Sequence, residues 1–199
     1  KAQAMARAGT HTIYTTGTDG EFYAIFREEF RRMVAIAVES ARGTATTVAI
    51  GTNAASTRDV LDQIAYCAET GASAVMVAFP FWLELNEHEW LPFLKDCCHA
   101  AAPMGVLHYN TIRAKRVLGP PEYAVCLREL SADFVGSKSA AADFAQWCQL
   151  HFETPELVHI PMEASAVPPL MGGGKAFISP PRGAVHPKLA GSFHGLCAT

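Results

Sequence analysis

The chain has 199 residues, 50% of them hydrophobic and 18% charged, a composition that suits one soluble globular domain with a sizeable core and excludes a disordered chain. Its formal net charge of −3 provides no basic field for nucleic acid or an acidic membrane, and the 16 Lys and Arg are scattered along the chain. No apolar run approaches the roughly 18 residues of a membrane span, and Lys1 to Gly9 lacks the apolar core of a secretory signal, so the chain is expected to be cytoplasmic, with neither nucleic acid nor membrane as partner.

In chain order, short β-rich runs alternate with longer amphipathic stretches. Lys1 to Ala8 reads as the end of a helix, and the first β-like run is His11 to Thr16. A helix over Ala24 to Ala41 follows. It carries Phe26, Phe30, Met33, Val34, Ala37 and Val38 at helical spacing, Arg27, Glu28, Arg31 and Arg32 on the other side, and Gly43 as its stop. The run Thr46 to Ile50 leads to Ser56-Thr57-Arg58-Asp59. Here the first hydroxyl and the carboxylate three residues on can satisfy the free N–H groups of a new helix, which continues through Val60, Ile64, Ala65 and Cys67 to Gly71.

The runs Ala74 to Phe79 and Gly105 to Tyr109 flank a helix from about Glu87 to His99. Pro121 suits the first turn of a helix reaching Leu130, and Phe134-Val135 with its neighbours forms the fifth run. A helix around Ala141 to Leu150, a run Leu157 to Ile160, and a short helix around Ala164 to Met171 containing Pro168-Pro169 complete the pattern before a seventh run, Ala176 to Ser179. From Pro180 the chain is rich in Pro, Gly and Ala and is expected to be loosely structured. The six cysteines show no CxxC pair, which points to buried reduced thiols.

Repeated strand–helix units imply a parallel sheet, either open and doubly wound or closed as a (β/α)8 barrel, and seven evenly spaced runs favour the barrel. A barrel carries its chemistry at the C-terminal ends of its strands. Those ends are Gly17-Thr18-Asp19-Gly20-Glu21, Gly51-Thr52-Asn53, Pro80-Phe81-Trp82, Tyr109-Asn110 and Gly136-Ser137-Lys138. Lys138 stands out. At the end of a buried strand an ammonium loses hydration, which favours a neutral amine able to attack a carbonyl. On its own residues alone, the alternative of a lysine pointing into solvent stays open.

Other constellations have plainer readings. Gly172-Gly173-Gly174-Lys175 departs from the phosphate-loop pattern at Pro169 and Ala176, and its glycines fit close packing before the last run. His108, His159 and Glu163 have no metal-ligand spacing, so no metal and no cofactor are expected. Trp90 and Trp147 suit a core, Trp82 could line a pocket, and Glu21 is expected to accept backbone donors after its turn.

Taken together, the Gly-Thr-x-Gly-Glu turn at 17–21, the Gly51 turn followed by Ser56-Thr57, the segment from Gly71-Ala72 to Pro80, Tyr109-Asn110, Gly136-Ser137-Lys138, and Gly172-Gly173-Gly174 to Ile178-Ser179 resemble the dihydrodipicolinate synthase and N-acetylneuraminate lyase family of Schiff-base-forming lyases. The resemblance runs from about Gly9 to Ser179. It implies a (β/α)8 TIM barrel in which Lys138 forms an imine with pyruvate or a longer 2-oxo acid, Tyr109 is general acid and base, and Thr18 is the first link of a proton relay. It further implies substrate contacts from Gly17, Asp19, Gly20, Trp82, Arg113 and Ile178, no cofactor, and a homo-oligomer, commonly a tetramer.

Members usually have a strand before the Gly-Thr turn and more helices after the last strand. The resemblance therefore implies one barrel domain over residues 1–199, lacking the first strand and the C-terminal helices and incomplete at both ends. Three positions depart from the pattern. Asp19 replaces a second threonine, Trp82 stands where a neighbouring subunit usually contributes a relay tyrosine, and Ala114 stands where members that make dihydrodipicolinate carry an arginine. Arg113 or Arg116 could take that role with a shift of the loop. A catalytically impaired barrel, serving as a small-ligand binder or a truncated homologue, is the rival reading.

Overall fold

A computed structural model describes residues 1–139, 143–179 and 185–197. Six parallel strands form one sheet: β1 (Thr12–Thr15), β2 (Thr47–Gly51), β3 (Ala74–Val77), β4 (Gly105–Asn110), β5 (Phe134–Ser139) and β6 (Val158–Pro161). Their order in the sheet is their order in the chain. A doubly wound sheet reverses direction at a switch point, whereas this one adds each strand beside the last, as a barrel wall does.

The helices follow the expected alternation: α1 (Ala2–Arg7), α2 (Arg27–Ala41), α3 (Thr57–Thr70), α4 (Trp90–Ala101), α5 (Pro120–Glu129), α6 (Phe144–Glu153) and α7 (Val167–Met171). The Ser56 hydroxyl accepts the Asp59 N–H at 3.2 Å and donates to the Asp59 carboxylate at 2.7 Å, which fixes the start of α3. Gly71 ends it in the left-handed conformation. Helix α2 starts later than expected. The chain first makes a short 3₁₀ turn at Phe22–Ala24, and Phe26 becomes an exposed flanking residue whose N–H donates to the Glu29 carboxylate.

Alternate residues of the strands, among them Ile50, Val75, Val77 and Val106, pack with Val34, Val60, Ile64, Leu94 and Cys126 into the core between sheet and helices. Trp90 and Trp147 are buried as expected. All six cysteines are free thiols, with Cys67, Cys97, Cys98 and Cys126 buried and Cys148 and Cys197 half-buried. A Cβ on Gly174 would lie 2.7 Å from the Pro169 carbonyl and 3.1 Å from the Trp147 ring, so close packing accounts for that glycine. No helix of the described residues is long and apolar enough to cross a membrane.

Two expectations are corrected at the C-terminal end. Residues 176–179 form no strand, and Ile178 pairs with Met162 through an isolated bridge. The neighbouring strand end is Pro161, which can accept a ladder hydrogen bond but cannot donate one. The tail contains α8 (Pro187–Cys197), which docks through Phe193 and His194 on Phe177, with ring centroids 5.3 and 6.1 Å apart. The expected start of the fifth helix at Ala141 lies outside the described residues.

His108, Ser137 and His159 on the helix-facing side of β4, β5 and β6 are hydrogen-bonded, with His108 Nε2 left without a partner among the described residues. His108 Nδ1 lies 2.8 Å from the Tyr123 hydroxyl, and His159 bridges Ser137 at 2.8 Å and Thr154 at 2.9 Å. Burial pushes His108 down to about 3, and burial followed by the neighbouring His151 pushes His159 down to about 4. Both rings are neutral in the fold, while an unfolded imidazole titrates near about 6.5. Their contribution is full above that pH and is lost as pH falls toward the folded values, because only the unfolded chain takes up the protons. The melting temperature should therefore be flat above about pH 7 and fall steadily between about pH 6.5 and 5, with a smaller slope in His159→Gln. A flat profile across that interval would contradict the buried neutral pair.

Candidate active site

Strand register sorts the inner side of the sheet into rows. Parallel partners point to the same face, and residues two apart on a strand share it. The pairings Tyr14↔Ala49, Ala49↔Ala74 and Ala74↔Gly105 make a lower row. Gly51↔Met76, Met76↔Leu107, Leu107↔Gly136 and Gly136↔Val158 make a middle row. Tyr109↔Lys138 and Lys138↔Ile160 lie above them, at the C-terminal ends.

The pairing of Tyr109 with Lys138 depends on an irregularity. Val106 pairs with Phe134, but Leu107 pairs with Gly136, a shift of one residue on β5. Unshifted, Tyr109 would stand opposite Ser137 and Lys138 would face the helices. Gly136 makes the shift possible: its φ is +145°, and a Cβ there would lie 2.0 Å from the Val158 carbonyl oxygen.

Lys138 is buried, 5% exposed, and its Nζ lies 3.7 Å from the centroid of the Tyr109 ring, a cation on a π face. The Tyr109 hydroxyl is 3.1 Å from Thr18 Oγ1. Burial raises the Tyr109 phenol, but hydrogen bonding to Lys138 and Thr18 and the charges of Lys138 and Arg113 outweigh it, and the phenol sits below its ordinary value. The lysine and phenol are thus electrostatically coupled.

Thr18 is brought to Tyr109 by a strained turn. Thr16, a β-branched residue, has φ +58°, held by its hydroxyl donating to the Gly51 carbonyl at 2.9 Å. Asn53 ties two strand ends together, donating to the Thr16 carbonyl at 3.3 Å and accepting the Ala78 N–H at 2.9 Å. The turn's own hydrogen bonds use the N–H groups of Gly20, Glu21 and Phe22. After β4, Asn110 pairs with both backbone groups of Leu118, at 2.8 and 3.0 Å, and so fixes the loop that carries Arg113.

The expected site residues separate into two groups. Lys138, Tyr109 and Thr18 converge, Gly17 and Gly20 flank Thr18 in its turn, with Gly17 over Tyr14 and open space beside Gly20, and Arg113, although exposed, is near enough to act on the Tyr109 phenol. Asp19 is exposed on the turn, Trp82 is 74% exposed, and Ile178 is half-buried beside β6. Arg116 is committed elsewhere, to the Leu85 carbonyl at 3.3 Å and Glu87 at 2.8 Å.

The Glu21 side chain accepts no turn donor among the described residues; its backbone carbonyl accepts the Ala24 N–H at 2.8 Å, and its backbone is left-handed, φ 52°. Among the described residues no group of His, Cys, Asp and Glu is arranged for a metal, and His108, His159 and Glu163 bond to Tyr123, Ser137 and Ser179. A separate cavity of about 290 Å³ lies between α2 and α3, lined by Tyr23, Phe30, Asp62 and Tyr66, away from Lys138. Sequence reasoning placed Asn53 at a strand end without its bridging role, and missed Thr16 and Tyr14. Only Tyr14 had a signal, as a large residue at an inward position of the first run.

A sequentially ordered parallel sheet with a lysine, a phenol and a hydroxyl gathered at its strand ends defines an α/β protein of the barrel type with a strand-end site. The chain belongs to the dihydrodipicolinate synthetase family, whose model matches residues 2–180. It is 28% identical over 178 residues to the 4-hydroxy-tetrahydrodipicolinate synthase of Methanopyrus kandleri, covering 88% of this chain and 58% of that relative.

Among solved structures it is similar to the chloride-inhibited dihydrodipicolinate synthase from Acinetobacter baumannii complexed with pyruvate (TM-score 0.85, 22% identity, 99% of this chain and 66% of that one). It is also similar to N-acetylneuraminate lyase from Fusobacterium nucleatum (TM-score 0.79, 14% identity, 89% and 62%). These two likenesses establish the common fold. The chain thus spans between one half and two thirds of the length of these relatives.

The coupling predicts a spectroscopic effect. Replacing Lys138 by Met removes the cation and leaves the burial, so the Tyr109 phenol should titrate at higher pH. Alkaline difference absorbance, with Tyr109→Phe identifying the signal, reads the shift. An unchanged titration in Lys138→Met would contradict the contact.

Proposed function

We propose that the chain is a lyase of the imine-forming type acting on pyruvate or a longer 2-oxo acid. The observation that carries this is the facing pair Lys138 and Tyr109, on the inner side of the strand ends, with Tyr109 held by Thr18 at 3.1 Å. A neutral Lys138 Nζ attacks the keto carbon, and one proton of the attacking nitrogen passes to the keto oxygen to give a carbinolamine. Tyr109, connected to Thr18, protonates the departing hydroxyl, and water leaves to give a protonated imine. That imine is an electron sink, so the neighbouring carbon can lose a proton or break a C–C bond to give an enamine. A phenol held below its ordinary value is better matched to this proton transfer than a free one.

The N–H groups at Gly17, Thr18 and Asp19, which the turn's own hydrogen bonds do not use, are offered to the carboxylate, Arg113 adds positive charge beside Tyr109, and by the family pattern Asp19, Trp82 and Ile178 contact the substrate's variable end. The A. baumannii relative binds pyruvate, which supports the choice of ligand. Ala114, buried in the loop after β4, argues for a 2-oxo-acid reaction other than dihydrodipicolinate synthesis. In this reading the six strands belong to a closed (β/α)8 barrel, the protein is cytoplasmic, and no cofactor takes part.

Incubation with pyruvate, reduction with borohydride and intact-mass measurement test the reading. One reductively attached pyruvate is expected, and none in Lys138→Ala. An adduct that survives Lys138→Ala, or no adduct with any 2-oxo acid, would sink it; an adduct without turnover would favour the impaired-barrel alternative. A homo-oligomer, a tetramer by family pattern, is part of the proposal, since Trp82, Leu83 and Ile112 expose 74%, 73% and 68% of their surface. Sedimentation equilibrium should give a multiple of the monomer mass, and a monomer at all concentrations would refute assembly.

A further inference from the structure

Tyr14 is the one large side chain of its row. Its partners along the row are Ala49, Ala74 and Gly105, so the space beside it on the inner face is filled by a methyl, a methyl and a hydrogen. The phenol rises toward the strand ends, and its hydroxyl lies under the first glycine of the Gly17 to Gly20 turn. A Cβ on Gly17 would sit 2.6 Å from the Tyr14 hydroxyl oxygen and 2.7 Å from a ring carbon, so the turn can close over Tyr14 only with glycine there.

That hydroxyl is buried and has no hydrogen-bond partner among the described residues. The Asn53 amide stands beside it, but its oxygen already accepts the Ala78 N–H, and its NH2 group, one hydrogen of which goes to the Thr16 carbonyl, can only donate, so it offers the phenol's proton no acceptor. A buried hydroxyl without a partner is destabilising, and a phenylalanine would fill the same volume without that penalty. Burial, then the charge of Tyr109, hold the Tyr14 phenol well above its ordinary value against the lowering influence of the Asn53 amide, with a smaller contribution from Asp19. It is therefore a donor at all ordinary pH values, standing near Tyr109 and lacking an acceptor.

We infer that the Tyr14 hydroxyl donates a hydrogen bond to the carboxylate of the bound 2-oxo acid, making Tyr14 a substrate-binding residue of the Lys138 site. The inference rests on the imine reading above. The ligand brings what the protein lacks at this point, an anionic acceptor beside the Gly17 turn.

Tyr14→Phe tests this, with pyruvate as the probe and the borohydride-trapped mass as the readout. A hydrogen bond to a charged group is worth enough to shift binding about tenfold. The pyruvate concentration giving half-maximal adduct should rise about tenfold or more, with the adduct still complete at saturation. The ligand-free melting temperature should be unchanged or higher, because the unsatisfied hydroxyl is gone; a merely structural tyrosine would not move the half-saturating concentration.

An unchanged half-saturating concentration in Tyr14→Phe, with wild type forming the adduct normally, overturns this inference alone. Absence of an adduct in wild type overturns the imine reading and this inference with it. A lowered melting temperature with unchanged half-saturation also overturns it, and assigns the hydroxyl to the fold.

Discussion

The site depends on one displaced residue in the pairing of two strands. The register between β4 and β5 slips between Val106 and Leu107, and everything above the slip is offset by one. Because strand side chains alternate, that offset decides which of two neighbours, Ser137 or Lys138, faces inward beside Tyr109. Lys138 turns inward to the phenol, and Ser137 turns outward to bond His159 at 2.8 Å. Gly136 is the residue that absorbs the slip, at a backbone angle and a clearance that a side chain would not tolerate. The Gly-Ser-Lys sequence is thus three roles in a row: backbone freedom, an outer anchor and an inner amine.

Around this pair the fold supplies rigidity from both sides. On the outer face His108 and His159 lock β4 to α5 and β5 to the end of α6 with neutral rings. At the strand ends the strained Thr16, the doubly bonded Asn53 and the Asn110–Leu118 clasp fix three loops. Buried polar groups that are fully paired define one arrangement of a site, and those left unpaired mark where a ligand can complete it. Among the described strand-end residues the hydroxyls of Tyr14 and Thr52 are left without a partner, and Tyr14 is the one whose phenol feels the charge of Tyr109.

Much of this was legible in the sequence because the fold is written in short periods. The alternation of β-rich runs and amphipathic helices set the strand order, and the ends of the first, fourth and fifth runs named Thr18, Tyr109 and Lys138. Local signals failed where a contact distant in sequence decides. Residues 176–179 are β-like in composition, yet their neighbour ends in Pro161 and only Ile178 pairs. The Pro, Gly and Ala of the tail suggest a loose segment, but Pro187–Cys197 is helical against Phe177. Phe26 has core spacing but precedes the helix by one residue. The bulge, the Asn53 bridge and the cover of Gly17 over Tyr14 are relations between strands, and no single stretch announces them.

The central claim is that the Lys138 amine, presented to Tyr109 by the β5 slip, bonds covalently to a 2-oxo acid. Carbon-13 NMR of the protein with pyruvate labelled at its keto carbon tests it without any trapping reagent. The account predicts that the labelled signal moves from the ketone position to that of a protein-bound imine, and that it stays at the ketone position with Lys138→Met. A ketone signal unmoved by the wild-type protein, or an imine signal that persists without Lys138, would contradict it.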